Sequence, residues 1–222
     1  MTTTDNKKTM RALLDSFLDF LFPINKSVYE LQKTSPKELS EKLPKSPYIN
    51  DWTSSLFTYA DEKIKHLVWE IKYYRNKKIT SSIGLLMAEA IINDLKKISL
   101  HPNDHVLVVP IPLTKRRLSE RGFNHTELIA ESILKNLPEN FILANDVLQK
   151  IRHTPKQNSI ENREDRFNNL FGVFAVADPH KVFNKNVLII DDVTTTGATL
   201  LEARRALLSA GAKNIRAYTV AH

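Results

Sequence analysis

The sequence predicts an α/β chain, a parallel sheet flanked by helices, preceded by a small helical appendage. Three observations predict it. Apolar runs of strand length at 106–111, 187–190 and 215–220 alternate with longer stretches of helical periodicity. Such alternation builds a parallel sheet covered on its faces by helices. The two most unusual motifs directly follow two of those runs, and ligands of such sheets bind outside the carboxyl ends of strands.

Taken in order, residues 9–22 read as an amphipathic helix. Leu14, Phe17, Leu18 and Leu21 recur at helical spacing, and Pro23 closes it. Residues 33–50, with prolines at 36, 44 and 47, read as a polar linker. The expected organisation is therefore an appendage and linker over 1–50 and one domain over 51–222. Within that domain 61–75 and 80–97 read as helices. The second carries Ile83, Leu86, Met87, Ala90, Ile91 and Leu95 on one face. A buried strand follows at 106–111 and a helix at 126–136. Residues 146–176 alternate short apolar pieces with a basic stretch. Strand 187–190, a helix over 200–208 and a last strand at 215–220 complete the sheet.

Composition narrows the class. The 222 residues are 42% hydrophobic and 26% charged, as in ordinary globular proteins. There is no cysteine, which rules out disulfides and thiolate zinc sites. No apolar run reaches the roughly 20 residues that span a bilayer. The start of the chain lacks a secretory h-region. A cytoplasmic protein without membrane insertion is expected. A net charge of +7 and a pI near 9.5 suit a polyanionic partner, either a pyrophosphate-bearing substrate or nucleic acid. The histidines show no spacing suited to a metal site.

The chemistry concentrates after the apolar run 187–190. Asp191 and Asp192 come first, then Val193, Thr194, Thr195, Thr196, Gly197, Ala198 and Thr199, and a helical pattern begins at once. A helix N-terminus offers unpaired N–H groups and the positive end of a dipole. The hydroxyls add donors, and Gly197 lets backbone close around an anion. Asp191 and Asp192, expected at the strand's solvent-facing end, can accept hydrogen bonds from sugar hydroxyls or face magnesium. Phosphate, diol and metal together describe a phosphorylated ribose. The plainer alternative is an N-cap and a turn. A second motif follows the strand at 106–111. Two prolines are succeeded by Lys115, Arg116, Arg117 and Arg121, then Gly122, Phe123 and Asn124. Arginine suits bidentate phosphate recognition, and lysine supplies a point charge.

The acidic pair and threonine-glycine turn resemble the 5-phosphoribosyl-1-pyrophosphate (PRPP) loop of type I phosphoribosyltransferases. The Pro-x-Pro-Leu, basic cluster, Arg-Gly-Phe-Asn order resembles the competence protein ComF family, a branch of that fold. Two further segments strengthen the likeness. One is Lys150, Arg152, Thr154 and Gln157 followed by Arg163, Arg166, Asn168, Gly172 and Phe174; the other is the Lys72-Tyr73 pair. The resemblance covers 52–222 and implies the type I phosphoribosyltransferase fold. It implies transfer of phosphoribosyl from PRPP to an unidentified acceptor, with a nucleobase as one class, and release of pyrophosphate. Asp191 and Asp192 would hold the ribose hydroxyls and, directly or through water, Mg2+. Residues 193–199 would hold the 5-phosphate, and Lys115, Arg116, Arg117 and Arg121 the pyrophosphate. Lys150 and Arg152 would belong to a covering loop and serve catalysis, with Arg163 also meeting pyrophosphate. A link to DNA uptake, through DNA or a competence-machinery protein, is also implied, and a homodimer is compatible. The alternatives on the same fold are a non-catalytic DNA-associated protein and a PRPP-sensing regulator. The family begins with a helix ending Leu-Phe-Pro, here Leu21-Phe22-Pro23, and then a cysteine zinc ribbon. Asn25 and Val28 stand where its first cysteines would fall, so the appendage resembles a metal-free remnant.

Overall fold

The computed structural model describes residues 30–31, 33–47, 49–95, 104–151 and 171–222. The expectations for 9–23, Asn25 and Val28, and for Arg152, Thr154, Gln157, Arg163, Arg166 and Asn168, lie outside them. Ser35–His222 forms one compact unit. It therefore starts inside the segment read as linker, and its first element is helix α1, Pro36–Lys42. The Ser35 hydroxyl caps the Glu38 N–H, the Glu38 carboxylate reaches back to the Ser35 N–H at 3.0 Å, and Leu39 is buried. This reciprocal cap is what the Ser-Pro-Lys-Glu sequence encodes.

Five strands form one parallel sheet: β1 Thr53–Phe57, β2 Val106–Pro110, β3 Phe141–Leu143, β6 Asn186–Val193 and β7 Asn214–Ala221. Their order is β1-β7-β6-β2-β3. All residues of β2 are buried, as are the first seven of β6. That is why both read as unbroken apolar runs rather than alternating ones. β4 (Leu148–Lys150) and β5 (Phe174–Val176) make a separate antiparallel pair.

Helices cover both faces. Leu107, Val109, Val187, Ile189, Ile215 and Ala217 face helix α6, Ala198–Ser209, through Leu200, Ala203 and Leu207, together with Phe174 of β5. The other face meets α3 (Lys77–Leu95) and α5 (His125–Leu134), which also pack on each other. Their crossing is close: a Cβ at Gly84 would fall 2.1 Å from Ser132 Oγ. Ser132 Oγ donates to the Thr80 carbonyl at 3.0 Å across the same seam.

From β2 the chain moves outward to β3, and from β6 it moves the opposite way to β7. The carboxyl ends of β2 and β6, in register at Pro110 and Ile190, therefore flank a topological switch point. Among the described residues no helix is long and apolar enough to cross a membrane.

Candidate functional site

Both expected motifs meet at that switch point. β6 delivers Asp191 and Asp192 as its sixth and seventh residues. The expectation that they end the strand facing solvent is corrected: they are only 7% and 6% exposed. The sheet is longer than the apolar run, because Asp191 and Val193 still pair with Thr219 and Ala221 of β7.

A buried carboxylate needs a partner, and Asp192 has two. Helix α2 (Glu62–Trp69) continues into a π-helical turn, Glu70–Tyr74, which carries Lys72. Lys72 Nζ forms an ion pair with Asp192 Oδ2, and His125 Nε2 lies 3.7 Å from the same oxygen. The wider π turn is a common device at functional sites, and Arg75, in the left-handed region at φ 50°, ends it. Burial disfavours the Lys72 ammonium, but Asp192 and Asp191 outweigh that and hold its pKa raised. Burial likewise acts against the Asp192 carboxylate, yet Lys72 and His125 hold it far below the usual carboxylate range. Lys72 acts on Asp191 as well, but too weakly to offset its burial. Burial, with the Asp192 charge added, pushes its carboxyl well above the usual range. The pair thus divides into a charged Asp192 and an Asp191 that tends to keep its proton, with the Asp192 N–H donating to Asp191 Oδ1 at 2.9 Å.

His125 is buried at the first turn of α5, behind the Asn124 cap. Arg121 Nη1 lies 3.1 Å from its Nδ1. A guanidinium only donates, so Nδ1 accepts and the imidazole proton sits on Nε2, toward Asp192. Burial lowers the His125 pKa despite Asp192, which keeps the ring neutral. Arg121 also stacks on Tyr73, 4.8 Å from its ring centre.

The four basic residues expected on pyrophosphate therefore divide. They lie on the short helix α4, Lys115–Arg121, capped by Thr114. Lys115 is exposed at its start. Arg116 pairs with Glu120 at 2.8 Å. Arg121 braces His125. Arg117 comes near Lys150, the last residue of β4. Burial, then the Arg117 charge, lowers the Lys150 pKa, while Asp191 opposes them. Asn124 and Thr126 both donate to the Ile111 carbonyl, at 3.3 and 2.6 Å, and so tie this motif to the end of β2.

Beyond Val193 the strand gives way to the threonine turn. The Thr194 N–H donates to the Ala221 carbonyl at 3.0 Å, and Thr195 is exposed. Gly197, at φ 75°, is the N-cap of α6, and no side chain caps that helix. Thr196 Oγ1 reaches only the Ala198 N–H, at 3.4 Å. A Cβ at Gly197 would meet nothing within 4 Å, so the backbone here opens on free space. Helix donors, dipole and hydroxyls converge there, which makes an anion-binding cradle.

Sequence reasoning missed His125 and marked Lys72 only through the Lys72-Tyr73 pair of the resemblance, without a role. His125 had a local signal, since it directly follows the capping Asn124. Lys72 had only its pairing with Tyr73.

A parallel sheet whose switch point carries a buried acidic pair and an uncapped threonine-glycine turn defines a phosphoribosyltransferase-type domain, and residues 127–222 match the phosphoribosyl transferase domain family. Several curated proteins are similar over longer stretches. The DNA utilization protein YhgH of Escherichia coli O157:H7 is 27% identical over 165 residues, 73% of this chain and 70% of that protein. Competence protein ComFC of Bacillus subtilis is 34% identical over 122 residues, 54% of this chain and 46% of its own. Competence protein F of Haemophilus influenzae is 29% identical over 117 residues, 51% and 49% of the two chains. The chain spans about half the length of these two competence proteins. These matches together support a phosphoribosyltransferase-domain protein similar to the ComF family.

Proposed function

We propose that the chain binds PRPP at this site and transfers its phosphoribosyl group to an acceptor, with a nucleobase as one class, releasing pyrophosphate. The observation that carries the reading is the uncapped α6 N-terminus at Gly197, five residues beyond a buried carboxylate whose charge Lys72 maintains. The 5-phosphate would take the N–H groups and hydroxyls of residues 194–199. Asp192, as carboxylate, would accept from one ribose hydroxyl. Asp191, with its proton, could donate to or accept from the other. Lys115, Arg117 and Lys150 would face the pyrophosphate, and the resemblance adds Arg152 to them. Arg116 would have to leave Glu120 to take part, and Arg121 would act by fixing His125. Catalysis is then positioning and electrostatic stabilisation of a ribo-oxocarbenium-like state.

The protein's own donors do not fit a directly held magnesium ion. Asp192 is committed to Lys72, and the described residues hold no group of three potential ligands. Mg2+ would instead arrive with the ligand and supply positive charge against the departing pyrophosphate.

A ligand that binds only the folded state stabilises it by about 2.7 kcal/mol at a hundredfold excess over Kd. Each kcal/mol is worth roughly 2–4 °C in a chain of this size. Saturating PRPP with magnesium is expected to raise Tm by about 5–11 °C. Chelator should shrink the shift, and ribose 5-phosphate should give less. Pyrophosphate release across a panel of bases then separates a transferase from a PRPP sensor. The names of the relatives and the basic charge favour a second reading, a DNA-linked role. Duplex DNA that stabilises the protein where PRPP does not would replace the transferase by that role.

A further inference from the structure

A cavity of about 220 Å3 opens beside the threonine turn. One wall is Thr194, Thr195, Thr196 and Gly197; the other is Ile49, Asn50, Trp52 and Thr53, with Leu201 one turn along α6. The volume is room for roughly seven waters. The two ends differ in chemistry. Near Gly197 the lining is hydroxyl and backbone N–H. Toward Ile49, Trp52 and Leu201 it is apolar, with one indole. No lining side chain is acidic. Thr53 and Thr194, 4% and 5% exposed, both line this cavity. Behind Trp52, the Arg204 guanidinium sits 5.1 Å from the ring centre, which adds positive charge to this end.

A terminal phosphate at the turn would use the hydroxyl end and leave the apolar end unfilled. We propose that this cavity takes a second group attached to the 5-phosphate, so that the site accepts ribose 5-phosphates esterified or joined by an anhydride to a unit bearing a planar ring. Thr53 and Thr194 would donate to the bridging phosphate oxygens, and the ring would lie against Trp52 between Ile49 and Leu201. This rests on the ribose-phosphate reading of the turn and extends it to the ligand's other end.

Calorimetric titration with ribose 5-phosphate, PRPP and ADP-ribose tests it. ADP-ribose keeps the ribose and its 5-phosphate and adds an adenylyl unit beyond. Stacking on one aromatic side chain is expected to make ADP-ribose bind at least about tenfold tighter than ribose 5-phosphate. Trp52→Ala and Leu201→Phe should each abolish that advantage and leave ribose 5-phosphate affinity unchanged. Leu201 is 39% exposed, so the second variant stays folded even if the first does not. If PRPP and ribose 5-phosphate bind and ADP-ribose binds no better, this proposal falls alone and the cavity belongs to the terminal phosphate. If Leu201→Phe weakens ribose 5-phosphate as much as ADP-ribose, it falls likewise. If none of the three binds, the PRPP reading fails and takes this one with it.

Discussion

Asp191 and Asp192 are adjacent and equally buried, yet their environments push them to opposite protonation. Substitution should separate them. Asp192→Asn removes the charge opposite Lys72 and is expected to cost on the order of 2–4 kcal/mol in urea denaturation, below the full penalty for a buried pair because Lys72 is a quarter exposed. Asp191→Asn replaces a carboxyl that already tends to be neutral, so its loss should be clearly smaller. Equal losses would show that the two share one charge evenly. His125 gives a pH signature. Its folded pKa lies below the unfolded value of about 6.5, so the unfolded state takes up the proton first as pH falls. The His125 contribution therefore declines as pH drops below about 6.5. Asp192, with a lowered pKa, adds stability above about pH 4 that is lost in acid; Asp191, with a raised one, acts in the reverse sense at pH values above about 4, where the unfolded state loses its proton first. Between pH 7 and 5 His125 and Asp191 act in opposite senses, and His125→Gln should remove the His125 part, so that the variant gains stability relative to the parent as pH falls. An unchanged slope would remove His125 from the account.

Among the elements, the α3–α5 seam is the tightest described contact. Ala at Gly84 would strike Ser132 Oγ at 2.1 Å and its backbone carbon at 2.7 Å. Overpacking of this kind costs about 1–3 kcal/mol, so Gly84→Ala should lower Tm by several degrees in calorimetry. A neutral outcome would mean that the helices can slide apart. Element by element, legibility followed burial. β2, β6 and β7 announced themselves because a doubly covered strand is apolar on both faces. β1 did not: it is an edge strand with Ser54 and Ser55 at its centre, and its place is set by pairing with β7. β3 is three residues long at the other edge. Helix α1 was missed although its capping box stood in the sequence, because polar residues and prolines outweighed it. The turn at 194–197 was legible from composition alone. The network around Asp192 was not, because positions 72, 121, 125 and 192 meet only through the topology.

At the scale of the whole molecule, strand β7 pairs with β1 on one side and β6 on the other, and Ser55 meets Thr219 across 164 residues of sequence. Contacts of such separation must be closed against chain entropy before they give anything back, which slows folding. On the ribosome, at roughly 5–20 residues per second, β1 must therefore wait on the order of ten seconds or more for its partner. Until then it remains an unpaired edge with two exposed rows of backbone groups, open to other chains. The anion cradle inherits the same schedule. The Thr194 N–H is anchored by the Ala221 carbonyl of β7, so the turn is complete only when the last strand has been laid into the sheet. Formation of the turn and docking of β7 are thereby coupled: a nascent chain has no cradle to offer until β7 arrives, and an anion present at that moment captures the newly closed turn.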